Sequence, residues 1–513
     1  MDFFSTLDFG RLGEILRFEP NAPMIFSSGL FFFLLLGFLP VYYLLRGERL
    51  TQLRILWVVI FSLYFYYKSS GSYVLLLLMA ASWDYYIGGL LHRTSEPSRR
   101  KRLVALSVML NLSVLCYFKY TNFIFASLLG LLSLPGELLG IEAITPAPWE
   151  PWDIVLPVGI SFYTFQTMSY IIDIYRGEVR PLKRWIDYVF YVSFFPQLVA
   201  GPIVRAKHFI PQIYKRPMLG RAEYTEALAL IVSGLFKKAI ISDYISLNFV
   251  DRIFDAPTLY TGLENLLGVY GYALQIYCDF SGYSDMAIGI ALILGFRFNI
   301  NFDSPYQSAS ITEFWRRWHI SLSTWLKDYL YIPLGGNRSG QRRTYINLMV
   351  TMLLGGLWHG AAARFVLWGA IHGVALAIHK YWCTLFPSSS SPAHKLPWWR
   401  RFFGQIITFH LVCFAWIFFR AETMQTAWEI IGQIRHNFHP EVLWQFIDGY
   451  RLVSFLMIIG YVLHFMGRKR EGWFRELFLR LRLRWVVVLL IVLIVLVIQM
   501  RSAEVQPFIY FQF

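Results

Sequence analysis

Two histidines in the stretch from Ser310 to His359 carry the side chain best suited to proton transfer near neutral pH. His319 lies among tryptophans and arginines in SITEFWRRWHISLSTWLKDYLYIPLGGNR, and His359 follows the apolar run of NLMVTMLLGGLWHG. An imidazole in hydrocarbon is costly unless it is paired or lines a polar cavity, so an ionisable group at that depth is a functional candidate. A neutral imidazole in a dry cavity can accept a proton from a hydroxyl group. We therefore predict that His319 and His359 are catalytic.

The neighbours of His359 favour a substrate-facing role. Glycines surround it in GGLWHG, and a glycine lets a substrate approach the backbone. Trp358 supplies an apolar wall. The alternative is a core histidine that is hydrogen-bonded to a neighbouring helix.

The neighbours of His319 favour binding of an anion. Arg316 and Arg317 precede it in WRRWH, and the planar guanidinium recognises phosphate or carboxylate. We predict that these two arginines bind an anionic donor such as a coenzyme A thioester. The alternatives are anchoring of either arginine at the cytoplasmic face and an interfacial role for His319 in an aromatic belt.

Other polar residues in apolar segments give weaker signals. His372 follows His359 by thirteen residues, which is not a ligand spacing, and no acidic partner is evident nearby, so we predict no metal site. Asp279, Ser281 and Asp285 interrupt an apolar region, either as caps of a broken helix or as the polar lining of a cavity.

P-loop, GxSxG and GxGxxG contexts are absent, which disfavours ATP hydrolysis, a serine hydrolase and a dinucleotide enzyme.

The composition of the chain indicates that membrane helices position these residues. Of 513 residues, 56% are hydrophobic and 15% are charged, against about 25% charged in soluble domains. Repeated apolar runs approach the roughly 20 residues of a membrane span. We predict an all-α polytopic membrane protein with about eleven to thirteen transmembrane or re-entrant helices. The net charge of +15 falls in short loops between apolar runs, which fits the positive-inside bias and disfavours nucleic-acid binding.

The chain divides into three predicted regions. Residues 1–23 form an amphipathic interfacial helix, residues 24–420 form the core, and residues 421–513 hold further spans, the basic amphipathic helix RKREGWFRELFLRLRLR and a short external tail. Residues 185–203 are apolar but basic at both ends, which favours a re-entrant hairpin over a full span.

The loops predict the topology. RGERLTQLR and HRTSEPSRRKR are basic and flank the same pair of spans, so they lie on the cytoplasmic side and both chain termini lie outside. We predict separate spans at 263–279 and 283–298, divided by the polar sequence YCDFSGYSD. A straight helix from Arg343 would place His359 about 24 Å along its axis, deep in the bilayer.

Several long and distinct motifs together cover most of residues 24–420. They are MIFSS at Met24, LPVGISFYTFQTMSYIIDIYRG at Leu156, PQLVAGPIVR at Pro196, YCDFSGYSDMAIGIALILGFRFNINFDSPY at Tyr277, the block around His319, and LLGGLWHG with WGAIHG. Through these motifs the chain resembles the membrane-bound O-acyltransferase family, and most of all the bacterial branch that O-acetylates exopolysaccharides such as alginate. The resemblance implies a helical membrane funnel around a deep, central histidine. His359 matches the catalytic histidine of the family, and His319 matches its second, upstream polar position.

The resemblance also implies a reaction. An acyl group, in this branch an acetyl group, is taken from an activated cytoplasmic donor and moved across the bacterial cytoplasmic membrane for transfer to a polysaccharide. Acetyl-CoA would be the donor, as a substrate rather than a bound cofactor. An extracytoplasmic partner of the SGNH-hydrolase-like type would complete the transfer, and membrane lipid surrounds the enzyme.

Within this interpretation His359 is the general base, and His319 binds or orients the donor or the acceptor. Two alternatives remain open. The first is D-alanyl transfer to teichoic acid, although the block FWRRWHISLSTWL and the chain length favour the polysaccharide branch. The second is a transporter of polymer or precursor with the histidines as a proton relay, but the inverted repeats typical of transporters are not found.

Overall fold

Two compact units make up the chain. The first comprises Met1–Met218 with Ser502–Pro507, and the second comprises Leu219–Arg501 with Phe508–Phe513. The computed structural model describes residues 9–20, 23–129, 150–199, 201–386, 397–466, 476 and 480–500. No strand occurs in these ranges, and the prediction of an all-α membrane protein is confirmed.

Nine α-helices are delimited in the described part of the first unit. They are α1 Phe9–Leu16, α2 Gly29–Leu44, α3 Thr51–Ser70, α4 Val74–Arg93, α5 Pro97–Leu115, α6 Ile160–Arg176, α7 Trp185–Ser193, α8 Phe195–Leu198 and α9 Ala206–Ile213. A π-helical segment, Cys116–Tyr120, continues α5, and residues 121–129 are again α-helical. Short 3-10 turns, Glu48–Leu50 and Gly71–Tyr73, precede α3 and α4. Helices α2 to α6 therefore occupy the apolar runs from which the first spans were predicted.

A buried polar cluster joins α4, α5 and α6. The carboxylate of Asp84 accepts hydrogen bonds from Ser107 Oγ at 2.5 Å and from Asn111 Nδ2 at 2.8 Å. Thr167 Oγ1 donates to Asn111 Oδ1 at 3.0 Å. All four residues are buried, and each hydrogen bond offsets the loss of water around a polar group.

The segment predicted as a re-entrant hairpin is not one continuous helix. Helix α7 has nine residues and α8 has four, and a nine-residue helix spans about 14 Å. That length is about half of the hydrocarbon core. The described part of residues 185–203 thus holds no continuous helix of spanning length, and the re-entrant hairpin stays a prediction.

Thirteen α-helices occur in the described part of the second unit. They are α10 Arg221–Leu235, α11 Asp243–Ile245, α12 Asp251–Asp255, α13 Gly262–Ile293, α14 Ile311–Arg317, α15 Ile320–Leu326, α16 Gln341–His359, α17 Ala363–Leu385, α18 Trp398–Arg420, α19 Met424–His436, α20 Leu443–Gly449, α21 Arg451–Phe465 and α22 Leu483–Met500. π-Helical segments connect or extend some of them, at Phe236–Ser242, Ser246–Val250 and Lys327–Tyr331. The 3-10 turns are Pro257–Leu259, Pro305–Gln307 and Pro440–Val442.

The prediction of separate spans at 263–279 and 283–298 is wrong, because α13 runs for 32 residues without a break. The two acidic residues in its middle meet cations of the π-helical segment Phe236–Ser242. Asp279 Oδ1 lies 2.5 Å from Lys238 Nζ, and Asp285 Oδ2 lies 2.7 Å from Lys237 Nζ. A neighbouring helix therefore neutralises these carboxylates, and Asp279, Ser281 and Asp285 are not caps of a broken helix.

Several described helices are suited to a membrane. By length and apolar composition, three stretches could each cross it: Glu48–Arg93, Pro97–Leu129 and Trp398–Arg420. A helix pair bent by 102°, Pro440–Gly449 with Arg451–Phe465, would be a fourth. Short helices fail such a test, so the larger predicted number of transmembrane or re-entrant helices stays a prediction.

Some predicted features lie outside the described residues. They include most of the basic amphipathic helix before α22 and the C-terminal tail. Of the predicted helix at residues 1–23, the structure describes α1.

Candidate active site

His359 is the last residue of α16 and is enclosed by aromatic rings. Helix α16 continues without interruption to it from Gln341, and only 4% of His359 is exposed. Edge-to-face contacts join its ring to Trp358 and Trp368, at 5.0 Å each, and to Phe419 at 5.2 Å. Rings from α16, α17 and α18 thus hold the imidazole in apolar surroundings.

The glycines around His359 serve helix packing. A methyl group on Gly356 would overlap the carbonyl oxygen of Phe365, and one on Gly369 would overlap that of Met352. Small residues of this kind let membrane helices approach backbone to backbone. The space that the sequence suggested for a substrate beside Gly356 is therefore filled by α17.

His319 lies in a break between α14 and α15. Trp318 is extended, and His319 takes the left-handed conformation with φ 41°, which is uncommon for a residue with a side chain. The side chain is fully buried. This break turns the ring into the protein interior, away from the helix on which its arginine neighbours lie.

A short polar network holds the His319 ring. Its Nδ1 lies 3.3 Å from Asn301 Oδ1, and Ser321 Oγ donates to the same oxygen at 2.9 Å. Asn301 Nδ2 in turn donates to Ser284 Oγ at 3.2 Å. Since an amide oxygen only accepts, this contact assigns the proton to Nδ1 and makes Nε2 the accepting nitrogen of a neutral ring.

One tryptophan links the two predicted catalytic histidines. The ring of Trp358 is 6.2 Å from that of His319 and 5.0 Å from that of His359. The ring of Phe280 also packs edge-to-face on His319 at 4.6 Å. The structure therefore brings His319 and His359 into one aromatic cluster of the second unit.

The two predicted donor-binding arginines line a cavity of about 1440 Å³ in the second unit. Arg317 is held in place, with Nη2 2.7 Å from Glu313 Oε1 and Nη1 donating to the carbonyl oxygen of Asp303 at 3.3 Å. Arg316 is exposed and makes no ion pair with any described residue. Six cationic side chains line the cavity against two carboxylates: Arg316, Arg317, Lys327, Lys380, Arg400 and Arg401 against Asp303 and Glu313.

His319 and its two arginine neighbours lie in different surroundings. The arginines face the cavity, whereas the His319 ring contacts Phe280, Trp358 and Asn301. His319 is not among the residues that line the cavity. The helix break at Trp318 and His319 separates the His319 ring from α14, the helix that carries the two arginines.

Three residues of the site were not predicted from the sequence. Asn301 fixes the His319 tautomer, while Trp368 and Phe419 enclose His359. Asn301 and Trp368 lie within quoted motifs, FNINFDSPY and WGAIHG, so an amide in an otherwise apolar motif was the available signal for Asn301. Phe419 carries no local signal, because many apolar helices contain phenylalanine.

Comparison with known proteins identifies related chains. The family model described as MBOAT, membrane-bound O-acyltransferase family, matches residues 184–421. The chain is 43% identical over 416 residues to the probable alginate O-acetylase AlgI of Pseudomonas aeruginosa, covering 79% of this chain and 74% of that protein. It is 35% identical over 440 residues to the peptidoglycan O-acetyltransferase of Helicobacter pylori, covering 80% and 79%. With the teichoic acid D-alanyltransferase of Bacillus subtilis it shares 30% identity over 291 residues, covering 53% and 71%.

Proposed function

The chain belongs to the membrane-bound O-acyltransferase family and is a multi-pass membrane acyltransferase, and we propose that it moves acetyl groups from acetyl-CoA to an extracytoplasmic polysaccharide. The enclosure of His359 by Trp358, Trp368 and Phe419 carries this proposal. Relatives named for acetylation of alginate and of peptidoglycan support both the acyl group and the class of acceptor.

His359 acts as the general base in this proposal. An acceptor hydroxyl gives its proton to the imidazole while its oxygen bonds to the thioester carbonyl carbon. The carbon–sulfur bond then breaks, and the departing thiolate takes the proton from the imidazolium, so the products are an ester and a free thiol. The aromatic enclosure keeps out water that would hydrolyse the thioester.

The cavity binds the anionic part of the donor. Its volume of about 1440 Å³ exceeds the roughly 300–1,000 Å³ of ordinary small-molecule pockets, which suits a long donor. Arg316 is exposed toward this space, and Arg317 is oriented by Glu313. Guanidinium groups in such a setting fit the phosphates of coenzyme A.

The membrane in this proposal is the bacterial cytoplasmic membrane, with both chain termini outside. Basic loops on the donor side support this orientation. The acetyl group then passes to a polysaccharide with the help of an extracytoplasmic SGNH-hydrolase-like partner, which recognises the polymer.

D-Alanyl transfer to teichoic acid is the second candidate within the family. It is favoured by the similarity to the teichoic acid D-alanyltransferase, but that similarity covers 53% of this chain, against 79% for the alginate O-acetylase. Membership of the acyltransferase family argues against the alternative that the chain is a transporter.

Mass spectrometry of the extracytoplasmic polymer separates the two acyl groups. Cells with and without the gene are compared, and purified protein in liposomes is supplied with labelled acetyl-CoA, the proposed partner and the polymer. We expect acetyl esters that depend on the protein, together with release of free CoA. Alanyl esters, or an unchanged polymer and no CoA release, would contradict the proposal.

A further inference from the structure

His372 is a buried histidine with no role in the reaction described above. Its side chain is fully buried, and neither ring nitrogen has a hydrogen-bond partner among the described residues. Its ring stacks on Phe314 at 6.1 Å and meets Trp315 and Trp368 edge-to-face at 5.1 and 4.7 Å. A buried polar group without a partner destabilises a protein, so its presence needs an explanation.

One face of α17 joins His372 to both the cavity and the active histidine. Trp368, His372, Leu376, His379 and Cys383 follow one another at helical spacing, so they share a face. Leu376, His379 and Cys383 line the cavity. At the other end of this face Trp368 contacts His359. His372 therefore lies between the donor cavity and the reaction centre.

Two indole groups beside His372 are also without hydrogen bonds. Trp315 lines the cavity, and its Nε1 has no partner within the described residues. The same holds for Nε1 of Trp368. An indole N–H only donates, and a neutral imidazole offers one donor and one acceptor. Trp315, Trp368 and His372 thus provide N–H groups for a small hydrogen-bond acceptor in otherwise apolar surroundings.

We propose that His372 donates a hydrogen bond to the acyl carbonyl oxygen of the donor thioester and so holds the acyl group on the path toward His359. A short acyl thioester is apolar apart from this oxygen, which matches one donor among aromatic rings. The inference rests on the proposed function, from which it takes the donor class. It makes His372 a substrate-binding residue in addition to His359.

Two unreactive analogues of acetyl-CoA test this contact. In the ketone analogue a methylene group replaces the thioester sulfur, so the carbonyl oxygen is kept, whereas S-ethyl-CoA lacks that oxygen. Their dissociation constants are measured by calorimetry on the purified full chain. For the wild type we expect the ketone to bind about 2- to 10-fold more tightly, the range of one neutral hydrogen bond.

Substitutions of His372 then remove or keep its hydrogen-bonding N–H group. His372→Phe keeps a ring to pack on Phe314 but has no donor, so the preference for the ketone should fall to about onefold while S-ethyl-CoA binds as before. His372→Gln keeps an N–H and should retain part of the preference. If the phenylalanine variant is not recovered folded, His372→Leu replaces it. His410→Phe, at an exposed histidine of α18 bonded to Tyr270, is the control and should keep the full preference.

The outcomes separate this inference from the proposed function. A ketone preference that persists in His372→Phe overturns the role of His372 and leaves the donor assignment intact. Equal binding of both analogues by the wild type also overturns it. If the wild type binds neither analogue, the CoA thioester is not the donor, and the inference fails together with that assignment.

Discussion

Asn301 shows how a single amide can decide which nitrogen of the buried His319 ring is available. Its Oδ1 accepts from His319 Nδ1 and from Ser321 Oγ, while its Nδ2 is used by Ser284. These contacts fix which end of the amide is oxygen and which is nitrogen. The accepting Nε2 of His319 follows from this network, and a ring without it could rotate or change tautomer.

Substitution of Asn301 should separate positioning from stability. We expect Asn301→Ala to reduce acetyl transfer by about ten- to a hundredfold, since misplacement of a catalytic group has effects of that size. Turnover is measured in liposomes, and melting temperature reports folding. Asn248→Ala is the control, because that amide only donates to the backbone carbonyl oxygen of Tyr244. Equal turnover in the two variants would contradict the positioning role.

The sequence identified the histidines but not their surroundings. His319 and His359 could be selected because an imidazole in an apolar segment is unusual. The direction of the His319 ring depends on one left-handed residue, which no spacing rule predicts. The rings that enclose His359 come from three helices, and such contacts between distant parts of the chain are decided by tertiary packing.

At the scale of elements, close packing of α16 on α17 holds His359 beside Trp368. Gly356 and Gly369 permit it, because each faces a backbone carbonyl of the other helix. The motif GGLWHG by itself predicts substrate access, because glycine lets a substrate approach the backbone. In the structure the glycines instead allow a neighbouring helix to pack closely, and the motif does not indicate which helix that is.

Gly369→Ala should therefore destabilise the protein by about 1–3 kcal/mol, since overpacking forces a backbone shift. Thermal unfolding in detergent, followed by tryptophan fluorescence, measures the effect. Gly432→Ala in α19 is a matched control, because nothing lies within 4 Å of the added methyl group. That change should be neutral or stabilising by up to about 1 kcal/mol. Equal melting temperatures for the two variants would contradict the packing role of Gly369.

The continuity of α13 depends on buried charge pairs. Lys238 is 2% exposed and contacts both Asp279 and Asp243. Asp279→Ala removes one of its two anions, and loss of a partner from a buried pair destabilises by about 3–5 kcal/mol. Because Asp243 still pairs with Lys238 in this variant, we expect a loss of stability at the lower end of that range.

An exposed ion pair provides the comparison. Asp448 pairs with Arg451 on the surface, where both side chains are more than 70% exposed, so Asp448→Ala should change the melting temperature little. Similar losses in Asp279→Ala and Asp448→Ala would show that the buried pair does not support α13. From the sequence alone YCDFSGYSD indicates a break, because the lysines that meet its carboxylates lie more than forty residues earlier in the chain.

At the scale of the whole molecule, composition was enough to predict an all-α membrane protein. Apolar runs, basic loops and few charges follow from the bilayer itself, and these signals do not depend on tertiary contacts. The number of spans is harder to predict. Short broken helices such as α7 and α8, and a long helix with polar residues at its centre such as α13, do not follow the apolar pattern of a simple span.

The orientation makes a prediction for the entire chain. With both termini outside, alkaline phosphatase fused after Phe513 should be active, and green fluorescent protein fused at the same place should be dark. Fusions within the basic loop between α4 and α5 should give the reverse pattern. A fluorescent C-terminal fusion would overturn the proposed topology.

The base role proposed for His359 is tested most directly by acetyl transfer from labelled acetyl-CoA in liposomes that contain the enzyme, the proposed partner and the polymer. His359→Gln should lower the transfer rate by about 10²- to 10⁴-fold, the contribution of a general base. His410→Gln, at the exposed histidine of α18, should leave the rate unchanged, and both variants should insert normally. Wild-type transfer by a correctly inserted His359→Gln enzyme would contradict the account.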